Sequence, residues 1–162
     1  MANSKRFPFL IPFLLFMLHL HVSTAEINGG HNFLFKLRSV LIFTQTVQRK
    51  NPSVKTLLSI GGGASDPSTF STMASQPSSR KSFIDSSIQL ARSNNFHGLD
   101  LDYEYPSSSS DMQNLGVLIR EWRTALFSEA RTSGKQVLLL ALAAFINSNY
   151  YSLNYPIYTG ND

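Results

Sequence analysis

The chain contains no cysteine among its 162 residues, so disulfides are excluded and stability has to come from packing. It has no long basic run. Arg49-Lys50 and Arg80-Lys81 are isolated pairs, read as solvated helix faces and not as phosphate sites, and nucleic acid is set aside as a partner. A usable Asn-x-Ser/Thr acceptor is missing too, because Asn51-Pro52-Ser53 carries the excluded proline. Beyond the N-terminal region no apolar run is long enough to cross a bilayer. Charged residues make up only 15% of the chain, whereas 43% are hydrophobic and 12% aromatic, which suffices for one ordinary globular core.

Lys5 and Arg6 precede an apolar run from Phe7 to about Val22, and Ser23-Thr24-Ala25 offers small residues at the positions a signal peptidase reads. Residues 1–25 are therefore read as a secretory signal peptide and residues 26–162 as one domain. The run of about 16 apolar residues, interrupted by His19 and His21, falls short of the roughly 20 that a membrane-spanning helix needs. Removing the signal takes two of the 14 basic residues and none of the 10 acidic ones, so the formal charge falls from +4 to +2. The basic balance thus carries no argument for an anionic partner. The expected destination is outside the cell or the vacuole, with no membrane attachment once the signal is gone.

Residues 26–40 show no sustained period of 2 or 3.6 and receive no regular element. A short helix is expected from about Ile42 to Arg49, ended by Asn51-Pro52. The apolar, partly β-branched segment Val54 to Ile60 predicts a strand, stopped by Gly61-Gly62-Gly63. A helical turn after Asp66-Pro67 and a helix from Ser78 to about Asn94 follow, the latter with Phe83, Ile84, Ile88 and Ala91 near helical spacing. Phe96 to Tyr105 predicts the next strand. A helix from about Asp111 to Thr132 carries the stripe Leu115, Leu118, Ile119, Trp122 and Leu126, which makes Trp122 a core residue. Gln136 to Phe145 is an apolar run of the kind expected for a strand covered on both faces. From Val54 onward the pattern is βαβαβ, which implies an α/β fold with a parallel sheet.

The chemistry-bearing segment is Phe96-His97-Gly98-Leu99-Asp100-Leu101-Asp102-Tyr103-Glu104-Tyr105-Pro106. Strand alternation puts Asp100, Asp102 and Glu104 on one face, successive acids roughly 7 Å apart, and Leu99, Leu101 and Tyr103 on the other, where they can pack on helices. Three acids in a row repel one another, which an ordinary solvent-facing strand has no need to tolerate. Crowded carboxylates push their pKa values apart, so one can stay protonated and give its proton to a leaving oxygen. Glu104 is the expected donor because it stands at the C-terminal end of its strand, where parallel α/β folds place their chemistry. Asp100 lies deeper and suits an orienting role. Asp100-x-Asp102 also has the hard oxygen donors of a Mg²⁺ site, an alternative of a different class.

These residues resemble glycoside hydrolase family 18, in particular plant class V chitinases. Gly98, Asp100, Asp102 and Glu104 match the family signature Asp-Gly-x-Asp-x-Asp-x-Glu, with His97 in place of its first Asp and Tyr103 where Trp is common. Ser59-Ile60-Gly61-Gly62 matches a second motif, Ser-x-Gly-Gly, on the preceding strand. The resemblance covers about residues 43–156 and implies a (β/α)8 TIM barrel. Removing 25 of the 162 residues leaves 137, against about 250 for a complete barrel, so about half of one, a partial barrel, is expected. Uncovered edges of such a sheet favour association or aggregation.

The resemblance further implies a chitinase acting on β-1,4-linked N-acetylglucosamine polymers. In that family the substrate's own N-acetyl oxygen attacks the anomeric carbon, an exception to the two-carboxylate scheme, with retention of configuration. Glu104 would protonate the glycosidic oxygen, Asp102 would orient the N-acetyl group and stabilise the oxazolinium ion, Asp100 would hydrogen-bond Asp102, and Ser59 would support Asp100. Gly61, Gly62, Tyr103 and Tyr105 would bind substrate or support the site, and His97 is read as structural. Chitin or its oligosaccharides are the expected partner, with no metal and no organic cofactor. A non-catalytic oligosaccharide-binding relative and a non-functional fragment are the competing readings.

Overall fold

In a computed structural model of the chain, residues 15–20, 42, 44–63 and 65–143 are described. They form one parallel sheet in the order β1-β2-β3-β4, comprising β1 (Leu15–Leu20), β2 (Lys55–Gly61), β3 (Gly98–Asp102) and β4 (Leu139–Leu142). Residues 44–50 are helical (α1). Two helices, α2 (Pro67–Ser75) and α3 (Pro77–Ser93), cross from β2 to β3, and α4 (Ser109–Ser133) crosses from β3 to β4. From β2 onward this is the expected βαβαβ chain. The sheet is part of a (β/α)8 barrel.

The apolar run read as a secretory signal contains β1, which pairs in parallel with β2 from Leu15↔Lys55 to Leu20↔Ile60. A continuous apolar run without alternation satisfies both the core of a signal peptide and a strand buried in a parallel sheet, so periodicity alone does not separate the two. Residues 26–40 and residues 144–162, which include Tyr150, Tyr151, Tyr155 and Tyr158, lie outside the described residues.

Each crossover helix is set by local signals. Asp66 caps α2 by accepting from the Ser68 backbone N–H, and Pro67 opens it at a position that needs no N–H donor. Ser108 caps α4 by accepting from Asp111 N, and Gly134, at φ 70°, ends it in the left-handed region. The inward stripes of α3 and α4 then meet the helix side of the sheet. Leu99, Leu101 and Tyr103 of the central segment pack with Ile84, Ile88, Leu115 and Trp122 in one core. Trp122 is fully buried and meets Phe83 edge-on at 5.0 Å.

Two expectations are corrected. Arg80 is not part of a solvated face. It is only 6% exposed and bridges α3 to α4, donating to both carboxylate oxygens of Glu121 at 2.8 and 2.9 Å and to the Ala74 carbonyl. Burial of its alkyl stem is compensated by this bidentate pair, which holds the guanidinium above its usual pKa and the Glu121 carboxyl below its own. Lys81, by contrast, is exposed and pairs with Asp85 one turn on. The second correction concerns the last strand. β4 is shorter than the apolar run, and it is an edge strand among the described residues with Leu139 46% exposed, not a strand covered on both faces.

Candidate active site

The site begins with register. In the β2–β3 ladder Ser59 stands beside Asp100 and Gly61 beside Asp102. With a side-chain period of two, Ser59 shares a face with Asp100 and Asp102, opposite the leucines of the helix side, while Gly63 and Glu104 lie just past the strand ends. Ser59 Oγ donates to Asp100 Oδ2 at 2.7 Å, and both residues are 1% exposed. A charge-assisted bond of this kind offsets part of the cost of burying the carboxylate. Asp102 is buried one step nearer the strand end, and Glu104 lies past the end of β3 in a half-buried position. Burial thus falls from Asp100 to Glu104, and the acids climb from the sheet interior to its C-terminal mouth.

The glycines are there because the two segments touch. A Cβ on Gly61, whose φ is +118°, would lie 2.1 Å from the Asp102 carbonyl oxygen, a distance no side chain tolerates. Gly62 N donates to that same oxygen at 2.7 Å. One residue further, a Cβ on Gly63 would stand 3.2 Å from Glu104 Oε2, so the loop after β2 forms a close wall against the terminal carboxylate. Gly63 was not singled out by sequence reasoning, because the third glycine of a run carries no signal of what it faces.

Tyr103 points away from the acids. Its ring is buried against Phe70 with centroids 5.1 Å apart, so its position supports the strand end from behind. Its hydroxyl bonds Ser71; burial, with the Asp111 charge adding to it, pushes the phenol above its ordinary pKa. Ser71 Oγ in turn donates to Asp111 Oδ1 at 2.5 Å, and Ser107 N and Oγ donate to Asp111 Oδ2. Burial would raise the Asp111 carboxyl, yet the bonds from Ser71, Ser108 and Ser107 outweigh it and hold the group below the usual carboxylate range. This buried knot fixes the loop that follows Glu104 to α2 and α4. Sequence reasoning missed Asp111, although Ser108-x-x-Asp111 has the spacing of a capping box. The Glu104–Tyr105 peptide is cis, and Tyr105 is half-buried beside the acid.

At the opposite end of β3, His97 is structural. Its Nδ1 accepts the Thr56 backbone N–H at 3.2 Å, while its own backbone N–H donates to the Thr56 carbonyl. Burial and the nearby Lys55 charge lower its pKa. A ring that accepts the Thr56 N–H at Nδ1 carries its proton on Nε2, and the lowered pKa favours the neutral form. Among the described residues, no three His, Cys, Asp or Glu side chains converge as ligands of one metal ion.

A parallel β/α sheet whose three acids climb one strand to its C-terminal mouth defines the class: part of an α/β barrel with an acidic candidate site at that mouth. The sequence matches the family described as Glycosyl hydrolases family 18 over residues 6–159, and the chain belongs to that family. It is 66% identical over 143 residues to a class V chitinase of Arabidopsis thaliana, covering 86% of this chain and 38% of that protein. Among solved structures, a class V chitinase from Nicotiana tobaccum superposes with a TM-score of 0.70 at 54% identity, covering 83% of this chain and 36% of that one. A chitinase-like agglutinin from Robinia pseudoacacia gives a TM-score of 0.64 at 56% identity, covering 75% and 34%. The chain therefore spans little more than a third of the length of these relatives.

Proposed function

We propose that this domain contributes the proton-donating half of a chitinase site, acting on β-1,4-linked N-acetylglucosamine chains by the substrate-assisted retaining route. The observation that carries the reading is the ladder in which Ser59 holds Asp100, Gly61 admits Asp102 and Gly63 walls Glu104, all at one sheet mouth. Two solved relatives, from Nicotiana tobaccum and Cycas revoluta, carry N-acetylglucosamine oligosaccharides, which supports that ligand class.

In this reading Glu104, the least buried of the three acids, gives its proton to the glycosidic oxygen as the bond to the anomeric carbon breaks. The substrate's acetamido oxygen closes on that carbon, so no enzyme carboxylate need be close enough to attack. Asp102 orients the acetamido group and stabilises the oxazolinium charge, and Asp100, fixed by Ser59, steadies Asp102. Water then opens the ring, with Glu104 taking back a proton. The polypeptide's part is to hold two carboxylates against strand backbone, where geometry is stiff.

Glu104→Gln keeps the side-chain shape and removes the acid. The expected result is loss of all cleavage of N-acetylglucosamine oligosaccharides with binding retained. Hydrolysis unchanged by the substitution would rule out the assignment. The second reading is oligosaccharide binding without turnover, favoured by the likeness to a chitinase-like agglutinin. Retention on chitin by the unsubstituted chain, with no reducing ends released, would select it. Secretion to the cell exterior or vacuole remains part of the proposal, tested by N-terminal sequencing of the mature protein.

A further inference from the structure

Glu104 belongs to a stretch of backbone, Tyr103 to Ser107, that is held from behind on both sides of the acid. Before it, Tyr103 is buried with its ring on Phe70 and its hydroxyl bonded to Ser71 of α2. After it, Pro106 is fully buried, and Ser107 gives both its backbone N–H and its hydroxyl to Asp111 Oδ2, at 3.1 and 3.3 Å. The Ser71 hydroxyl goes to the other oxygen, Asp111 Oδ1, at 2.5 Å. One carboxylate thus collects the restraint on the residue that precedes Glu104, through Ser71, and the restraint on the loop that follows it, through Ser107. Its bonds are not those of an ordinary helix cap. Asp111 is the third residue of α4, whose cap is Ser108. In a capping box that third residue returns to the N–H of the cap itself, whereas Asp111 takes the N–H of Ser107, one residue earlier, and reaches across to α2.

We propose that Asp111 is a positioning residue for Glu104, clamping the backbone on both sides of the acid so that its carboxyl is set in place before a ligand arrives. The clamp needs the ionised form, because a protonated carboxyl would turn a donor toward groups that are already donors. Burial of Asp111, which is 7% exposed, opposes ionisation, and the serine bonds outweigh it. Two oxygens and three donors make the arrangement directional, since neither side can shift without stretching a charge-assisted bond. Asp111 acts through Ser71 and Ser107, from behind Tyr103, and its part is to hold backbone. Such holding matters at a reacting group, where a displacement of about 1 Å costs on the order of a hundredfold in rate. The clamp stands on geometry alone; its effect on turnover rests on the reading of Glu104 as the proton donor.

Asp111→Asn keeps a single acceptor oxygen and so can serve only one of the two sides, while Ser71→Ala cuts the Tyr103 side alone. With carboxyl-labelled glutamate in the full chain, the Glu104 carbon resonance, assigned by its loss in Glu104→Gln, should be displaced in both variants. The resonances of Glu121 and Glu129, farther along α4 and paired with Arg80 and Arg92, should stay in place. Gly134→Ala, at the far end of α4, lowers stability without touching the clamp and should leave the Glu104 resonance where it is. A Glu104 resonance unmoved in Ser71→Ala, or moved as much by Gly134→Ala, would overturn the clamp, and Ser71→Ala decides the matter by itself if Asp111→Asn does not fold. On N-acetylglucosamine oligosaccharides, Asp111→Asn should lower kcat by about a hundredfold with KM little changed, and Gly134→Ala should keep the unsubstituted rate. A displaced resonance with kcat unchanged would refute the positioning role. Absence of turnover in the unsubstituted chain would count against Glu104 as proton donor, and the resonance would still decide the clamp.

Discussion

The close approach of β2 and β3 at the mouth of the sheet makes a sharp prediction for Gly61→Ala. The added methyl would sit 2.1 Å from the Asp102 carbonyl oxygen and 3.2 Å from the Phe70 ring, at a φ of +118°. The first neighbour is backbone of the central strand and cannot swing aside as a flexible side chain would. Backbone strain of about 1–3 kcal/mol and overpacking of about 1–3 kcal/mol together give about 2–6 kcal/mol, a large part of the roughly 5–15 kcal/mol that holds a domain folded. Gly134 provides the control. Its φ is +70°, yet nothing lies within 4 Å of its would-be Cβ, so Gly134→Ala should lose only the left-handed backbone preference, about 1–2 kcal/mol. Urea unfolding followed by the fluorescence of Trp122, the only tryptophan, measures both. Equal midpoints for the two variants would show that β2 and β3 are not in contact as described, and the placement of Asp102 would fall with it.

Three further outcomes are expected. Ser59→Ala leaves a buried carboxylate one donor short and should cost about 1–3 kcal/mol in urea unfolding; a change below about 0.5 kcal/mol would show that the pair is dispensable. Because the folded-state pKa of His97 is lowered, the unfolded chain binds more protons just below pH 6.5, so stability is present above that pH and falls as pH drops through it. The thermal midpoint should therefore decline between pH 7 and pH 5, with a shallower decline in His97→Asn, and identical slopes would refute the neutral-ring assignment. Glu121→Gln removes the anionic partner of a buried guanidinium and should destabilise by about 1–3 kcal/mol, discounted from a fully buried pair because Glu121 is partly exposed. The lowered Glu121 pKa places that contribution above the ordinary glutamate range, to be lost as pH falls through the folded value. An unchanged urea midpoint at pH 7 would show the bridge to be idle.

Much of this molecule was legible from residue order because the signals are local. Alternation along Gly98 to Asp102 fixes which side Asp100 and Asp102 take, helical spacing fixes the stripe of α4, and Asp66-Pro67 and Gly134 mark helix ends by backbone chemistry that needs no neighbour. The pairing of Ser59 with Asp100 came from a resemblance between motifs, and its 2.7 Å bond is a matter of register between strands 41 residues apart. Tertiary structure alone decided the rest. Whether Leu15–Leu20 is a strand depends on a partner edge, whether Arg80 is buried depends on Glu121 across the helix pair, and whether Gly63 matters depends on where the Glu104 carboxylate comes to lie. Periodicity reports which face of an element is apolar; only packing reports what that face meets, since contact energies between distant segments leave no trace in the spacing of either one.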